Sequence, residues 1–409
     1  MKKDFIVIIG KGISGEGAAA LCRKKNYDFT IISDDDDTAL PENTLVVVSP
    51  GVHPEKSPLY RRAVENNCSI VSEMEFGFAH LEIPVLAITG TNGKTTTTEL
   101  TDHLLKSCGV RSCVAGNIGR PLSFIAAKPE NTEIAVVEVS SFQLEKISTF
   151  APKAAVILNF ASDHLDRYHG NFEEYCTVKK RIFERVSPEN QIYGLSFGKN
   201  SGRVRWENGK LFFRGKEFFD LSNSDLQGFH NAENCAAAVE LTSRVLGEEI
   251  IFSDIFANAL RSFRRGEHRI DVFQNHNGIR FVDDSKGTNP AAVLAAIDTF
   301  PEGKLVILLG GLGKGMDFSV LASRAERFRL VAAYGQDRQN IIDVLQDLAP
   351  VTDCGSDFAQ AVKCACCAAL PGDTVLLSPA CASMDMFKNY ADRGNRFKEL
   401  VNKFIAGDL

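Results

Sequence analysis

No stretch of this sequence stays apolar long enough to cross a bilayer, which argues against a membrane-embedded protein. The N-terminus, Met1-Lys2-Lys3-Asp4, runs at once into a strand-like segment and lacks the apolar core and small-residue cleavage site of an export signal. A basic surplus is missing as well. Against 46 Lys and Arg stand 52 Asp and Glu, a net charge of -6, so the sequence has no footprint of a nucleic-acid binder. Cysteine is not scarce, but the eleven residues are odd in number, and most stand singly in apolar segments, as Cys22, Cys108 and Cys235 do. Cys364, Cys366 and Cys367 fall in a helix-like run, Ala361–Leu370, without the paired Cys-x-x-Cys motifs or nearby histidine of a zinc site. Thiols packed as small hydrophobes are expected there. Reduced thiols with no export signal predict a cytoplasmic protein. Apart from the acidic run Asp34–Asp37 there is no low-complexity tract, and no internal repeat is visible.

What is present is a steady alternation of strand-like and helix-like segments, the mark of an α/β fold with mainly parallel sheets. At 409 residues the chain exceeds a single core, and the pattern divides into three units. The first holds strands at Phe5–Ile9, Phe29–Ser33 and Leu45–Val48, with a helix near Gly15–Lys25, and ends at the linker Glu82-Ile83-Pro84. The second opens on Val85–Thr89, continues through Ile134–Val139 and Ala155–Asn159, and carries a small aromatic β insertion between Ile192 and Leu221. A break near Phe263–Glu267 precedes the third, with strands at Ile279–Val282, Leu305–Leu309, Leu330–Ala333 and Thr374–Leu377. The expected domains are residues 1–83, 84–266 and 267–409.

The strongest chemical signal is the apolar strand Val85–Thr89 feeding Gly90-Thr91-Asn92-Gly93-Lys94-Thr95-Thr96. A glycine-containing loop opening a helix offers backbone N–H groups to phosphate; Lys94 adds charge at the outer phosphates, and Thr95 can give its hydroxyl to Mg²⁺. Ile88 stands where a regular phosphate loop has its first glycine, so this is a shortened variant. Glu138 ends an otherwise apolar strand, where an unpaired carboxylate is costly, and is a candidate metal ligand. The next strand ends in Asn159 to Asp166, with His164 as a second candidate. Gly10-Lys11-Gly12-Ile13-Ser14-Gly15, with Asp34 beyond it, has the form of a dinucleotide fingerprint. By itself that turn admits an NAD-dependent oxidoreductase, and the phosphate loop by itself admits a non-catalytic nucleotide switch. In the last unit, Asp283–Pro290, Gly310–Phe318 and Ser378–Phe387 each place small and charged residues just beyond a strand, where α/β ligand sites form.

Together these segments, with Gly116-Asn117-Ile118-Gly119, Glu138-Val139-Ser140-Ser141-Phe142-Gln143-Leu144, Asp163-His164-Leu165-Asp166, Asp284-Ser285-Lys286 and Ser378-Pro379-Ala380-Cys381-Ala382-Ser383, resemble the Mur ligases over almost the whole chain. The loop motif is shared with folylpolyglutamate synthases, whereas the Ser-Pro-Ala-Cys-Ala-Ser run favours the branch that adds D-glutamate; another amino-acid-adding ligase is the runner-up. The resemblance implies a Rossmann-like UDP-binding domain, a central ATPase domain and a Rossmann-like amino-acid domain. It implies ATP, the substrates UDP-MurNAc-L-alanine and D-glutamate, two Mg²⁺ ions, and a monomer. By the same resemblance Gly90 to Thr96 hold ATP phosphates, with Asn231, Asn234, Arg269 and Asp284 on the rest of the nucleotide. Thr95, Glu138, His164 and Lys179 serve the metals, Lys179 as a carbamylated lysine, and Lys94 is catalytic with them. Ile13, Ser14, Ser33, Asp34 and Gly51 would hold the UDP part, and Asn117 the muramoyl-alanine. Lys286, Thr288, Lys314, Ser383 and Tyr390 would line the amino-acid pocket, where Leu312 and Tyr390 depart from the family's usual acidic residue and Phe.

Overall fold

In a computed structural model, which describes residues 5–36, 38–41, 43–200, 202–300, 302–313 and 315–409, contacts divide the chain into two compact units. One comprises residues up to Phe160 together with Glu173–Phe263; the other comprises Ala161–Phe172 and Arg264–Leu409.

The first unit contains two parallel sheets. Strands β1 (Ile6–Ile9), β2 (Phe29–Ile32), β3 (Leu45–Val48) and β4 (Ser69–Ser72) are ordered β2-β1-β3-β4. Strands β5 (Val85–Thr89), β6 (Ser112–Gly116), β7 (Ile134–Glu138), β8 (Ala154–Ile157) and β9 (Gln191–Tyr193) are ordered β6-β7-β5-β8-β9. All neighbours within each run parallel. β5 and β7 are buried at every position, which is why they read as continuous apolar runs rather than alternating ones. In both sheets successive strands cross to opposite sides of a central strand. That opens a crevice at the C-terminal ends of β1 and β3, and another at β5 and β8.

The helix after β5, Lys94–Ser107, carries four consecutive threonines straight after Lys94, a run of poor helix formers. Tertiary burial overrides the propensity: Thr95 to Thr98 and Thr101 are buried, as are Leu100, Leu104 and Leu105. Thr101 Oγ1 also donates back to the Thr97 carbonyl at 2.7 Å. A small antiparallel sheet of β10 (Val204–Glu207), β11 (Lys210–Phe213) and β12 (Lys216–Asp220) packs its apolar side into the core of helix Phe229–Leu246. The insertion is thus shorter than the sequence suggests, because Gln191–Tyr193 pairs with β8 as an edge of the larger sheet.

The second unit has one sheet: β13 (Asp271–His276), β14 (Ile279–Asp283), β15 (Leu305–Gly310), β16 (Phe328–Tyr334), β17 (Val351–Asp353) and β18 (Thr374–Ala380), ordered β13-β14-β18-β15-β16-β17. Only β13 is antiparallel. The five parallel strands therefore deliver their exits, Asp284, Gly311, Gly335, Cys354 and Cys381, to one edge. Helix Phe358–Ala368 buries Cys366 in its core-facing stripe, and no cluster of three His, Cys, Asp or Glu able to hold a metal occurs among the described residues.

Candidate functional site

Between β5 and its helix the backbone turns through Gly90 (φ 149°) and Gly93 (φ 85°). Both glycines are required. A Cβ at Gly90 would press on Leu158, and one at Gly93 would collide with Asn234 Oδ1. The loop is braced from β8's exit: Thr91 N donates to the Asn159 carbonyl (3.1 Å), and Asn92 N donates to Asn159 Oδ1 (2.9 Å). Asn159 Nδ2 in turn donates to Glu233 Oε2 at 2.7 Å. The strand β8 ends at Ile157; Leu158 N still donates to the Thr89 carbonyl of β5, and Asn159 turns to the loop.

Two lysines converge on one carbonyl. Lys94 Nζ donates to the carbonyls of Gly90 (3.0 Å) and Thr91 (2.8 Å). Lys179 Nζ donates to the same Gly90 carbonyl at 2.9 Å and stands 4.7 Å from the centre of the Tyr175 ring. Lys179 is 1% exposed, so it is not a solvated helix residue. Asn234 accepts from Thr97 Oγ1 (3.2 Å) and stands beside Asn231; both are buried.

Glu138 is 2% exposed at the end of β7. Its Oε1 accepts from Asn117 Nδ2 at 2.8 Å, while its Oε2 is buried with no hydrogen-bond partner. A buried carboxylate oxygen left over is costly, and a divalent cation is the ligand that would satisfy it. The neighbouring phosphate loop supplies the glycine-shaped cradle and the Thr95 hydroxyl. The residues present fit an Mg²⁺-nucleotide.

At the first sheet, helix Ile13–Lys25 starts two residues earlier than the sequence suggests, directly from Gly12. Gly15 lies so close to the Gly10 carbonyl that a Cβ would overlap it. Ile13 and Ser14 open this helix at β1's exit; Ser33 and Asp34 follow β2, and Gly51 lies just beyond β3. All five share one edge of the sheet.

In the second unit, Asp284 is buried and accepts from Ser378 Oγ (2.7 Å) and Ile270 N (3.2 Å). Burial raises its carboxyl to about 7, opposed by these donors and by Arg269. Next to it, Asp283 Oδ2 meets His268 Nδ1 at 2.6 Å. Lys286 Nζ lies 3.4 Å from Tyr390 Oη and 4.8 Å from its ring centre. Ser383 is buried and Thr288 half-buried on the same edge; Lys314 lies outside the described residues. His164 belongs to the stretch Ala161–Phe172 of this unit, with left-handed backbone (φ 53°) and its Nε2 3.7 Å from Asp163 Oδ1.

Sequence reasoning missed Tyr175, Asn159 with Glu233, and Arg393. Arg393 is fully buried and donates to Ser285 Oγ, the Ser285 carbonyl and the Cys381 carbonyl at 3.0, 2.8 and 3.0 Å. Its signal was available: it follows Tyr390 by one helical turn, on the same face.

Residues 88–201 match the Mur ligase middle domain, and residues 268–381 match the Mur ligase glutamate ligase domain. The UDP-N-acetylmuramoylalanine–D-glutamate ligase of Aquifex aeolicus (strain VF5) is 35% identical over 416 residues, spanning 97% of this chain and 98% of its own. The enzyme of that name from Pelotomaculum thermopropionicum is 34% identical over 462 residues, with both chains fully covered. Among solved structures, MurF ligase from Thermotoga maritima in complex with ADP superposes with a TM-score of 0.63 at 21% identity, covering 99% of this chain and 95% of its own. At that identity the likeness concerns the fold.

Proposed function

The chain belongs to the Mur ligase family, and from that premise we propose that it joins D-glutamate to UDP-N-acetylmuramoyl-L-alanine, using ATP, in peptidoglycan precursor synthesis. The observation that carries this reading is the full-length likeness to D-glutamate ligases, set on an edge where Lys94 and Lys179 meet at Gly90. It displaces the oxidoreductase and switch alternatives, each of which uses only one of the two glycine-rich turns.

A carboxylate is a poor electrophile, so the alanyl carboxylate oxygen first takes the γ-phosphoryl group of ATP. The new O–P bond forms as the β,γ-bridging P–O bond breaks and ADP leaves. The D-glutamate amine then attacks the carbonyl carbon, loses its proton, and expels phosphate as the C–O bond breaks. Lys94 swings from the Gly90 and Thr91 carbonyls to the outer phosphates, and the loop N–H groups hold them in place. Glu138 and Thr95 would hold one Mg²⁺, His164 and Lys179 a second. These ions, when bound, neutralise phosphate charge. Carbamylation would turn Lys179 from a cation into a carboxylate-like ligand, and a native mass without the added CO₂ together with bicarbonate-independent activity would count against it.

Asn231, Asn234, Arg269 and Asp284 would take the rest of the nucleotide; Ile13, Ser14, Ser33, Asp34, Gly51 and Asn117 take the UDP-muramoyl-alanine. Lys286, Thr288, Lys314, Ser383 and Tyr390 would take D-glutamate. The domains are residues 1–83, 84–266 and 267–409, in a cytoplasmic monomer; no helix among the described residues is long and apolar enough to cross a membrane. The deciding experiment measures phosphate release from ATP with UDP-MurNAc-L-alanine against D-glutamate, L-lysine, diaminopimelate and glycine. Stimulation by D-glutamate is expected, and its absence sinks the assignment.

A further inference from the structure

Beyond the sheet edge of the second unit, the chains leaving two neighbouring parallel strands pair once more, this time antiparallel. Leu312, after β15, and Ala382, after β18, form an isolated bridge. Leu312 N donates to the Ala382 carbonyl at 2.9 Å, and Ala382 N donates to the Leu312 carbonyl at 3.0 Å. The chains reach this ridge at forced backbone angles. Gly310 and Gly311 have φ of 142° and 128°, and a Cβ would strike the carbonyl oxygen of Tyr334 at the first and of Ala382 at the second. Ala380 takes a left-handed φ of 60° although it is not glycine, a strain that persists where surrounding contacts impose it. The ridge carries buried Gly313 on one side and buried Ser383 on the other.

Both sides of the ridge are tied to one turn, Gly335-Gln336-Asp337, at the exit of β16. Asp337 N donates to the Gly311 carbonyl (2.9 Å), and Gly313 N donates to Asp337 Oδ2 (2.7 Å). Gln336 N donates to Asp385 Oδ2 (3.0 Å), and Asn340 Nδ2 donates to the other Asp337 oxygen (3.1 Å). Asp337 stands at the N-cap of helix Arg338–Leu345, where an aspartate ordinarily accepts from a backbone N–H of the first turn. Ser253, Asn289, Asp357 and Asn389 do so at their own helices. Asp337 makes no such bond. Its carboxylate is turned from the helix backbone to the ridge, so a cap is forgone in favour of a fixed Gly313.

We infer that Asp337 is a positioning residue for the amino-acid substrate. By holding the Gly313 N–H it fixes the segment that leads into Lys314 against the segment that carries Ser383, and so sets the side-chain length the pocket accepts. The inference rests on the ligase reading, in which Lys314 and Ser383 take D-glutamate, and deepens it with a residue that acts through the backbone of its neighbours.

The test measures phosphate release by full-length wild type and by Asp337→Ser, Asp337→Ala and Asp337→Asn, with denaturant unfolding of each. A serine at this position can cap its own helix but is too short to hold Gly313. Asp337→Ser should therefore be at least as stable as wild type and yet show a KM for D-glutamate raised roughly tenfold, the scale of one lost charge-assisted hydrogen bond. Turnover at saturating D-glutamate and the KM values for ATP and UDP-MurNAc-L-alanine should hold. The preference for D-glutamate over D-2-aminoadipate, which is one methylene longer, should fall in the same variant. Asp337→Ala should match it in KM, and Asp337→Asn, which keeps an oxygen for Gly313, should recover most of the loss. A folded Asp337→Ser enzyme with wild-type KM and wild-type preference overturns the inference, as does an equal rise in all three KM values. Either result leaves wild-type activity with D-glutamate intact, and with it the ligase reading. A wild type stimulated by no amino acid overturns that reading and this inference together. One stimulated by a different amino acid overturns the D-glutamate assignment, and the same KM comparison with that amino acid then decides the role of Asp337.

Discussion

The exits of β5 and β7 in the first unit and the exits of β14 and β18 in the second are built from the same kind of parallel sheet, but they handle charge in opposite ways. At the first edge, Lys94 and Lys179 donate to a backbone carbonyl, and Glu138 keeps one buried oxygen unpartnered. At the second, ionic groups face opposite charges within the fold: His268 meets Asp283, and Lys398 meets Asp271 at 2.6 Å. Arg393 is held by two carbonyls and a hydroxyl, although its Nη1 is buried with no hydrogen-bond partner. The first edge holds charge in reserve for a ligand; the second spends its charged groups mainly on its own shape. Removing a charge should therefore cost turnover at the first edge and stability at the second.

The largest effect is expected at Lys94. Lys94→Ala removes the charge offered to the outer phosphates and should lower kcat by about a thousandfold or more. Its melting temperature should stay close to wild type, because the Gly90 carbonyl that Lys94 binds keeps Lys179 as a donor. Retained turnover would break the comparison at its strongest point. Glu138→Gln keeps the bond from Asn117 but loses the anionic oxygen. It should cut activity by about a hundredfold and raise the Mg²⁺ concentration needed for half-maximal rate. An unchanged Mg²⁺ requirement with lowered rate would mean that Glu138 only positions Asn117.

Arg393→Ala should behave in the opposite manner. It strands the Ser285 and Cys381 carbonyls inside the second unit and leaves a cavity, at a cost of about 3 kcal/mol. Chemical denaturation reads this directly. A loss of turnover with full stability would place Arg393 with the catalytic groups and blur the contrast between the edges.

How much of this was legible in the sequence follows from the same contrast. The phosphate loop, Glu138 and the strand exits of the second unit stand out because glycines at forced backbone angles and polar residues ending apolar strands leave local traces. Asn159 was visible only as a strand end. Its part in bracing the loop depends on Glu233, 74 residues away, and no local pattern carries a pairing of that range. Lys179 reads as a surface residue of a polar helix, and only tertiary packing buries it against Tyr175. The weak strands β4, β6, β9 and β17 were missed for a related reason: they are three to five residues long and lie at or near sheet edges, where burial imposes little pattern. The threonine run after Lys94 shows the reverse, local propensity overruled by burial.

A pH dependence is expected from two buried carboxyls, one in each unit. Asp284 is raised to about 7, first by burial, against the pull of Ser378, the Ile270 N–H and Arg269. Glu73 is also raised to about 7 by burial, although the N–H and hydroxyl of Ser123 hold its Oε1. In both, the fold favours the protonated form. At low pH the folded and unfolded states are both protonated and stability is full. As pH rises past about 4 the unfolded chain ionises first, so stability declines until about 7, where the folded groups ionise too. Each group contributes a loss on the order of 3 kcal/mol across that window. Asp284→Asn and Glu73→Gln, each compared with wild type by denaturant unfolding at pH 5 and pH 8, should each flatten the slope. The Glu73 variant tests this free of any ligand role, since Glu73 joins helix Glu73–Phe78 to helix Leu122–Ala127 away from the phosphate loop. A slope unchanged by Glu73→Gln but removed by Asp284→Asn would assign the pH response to the second unit alone.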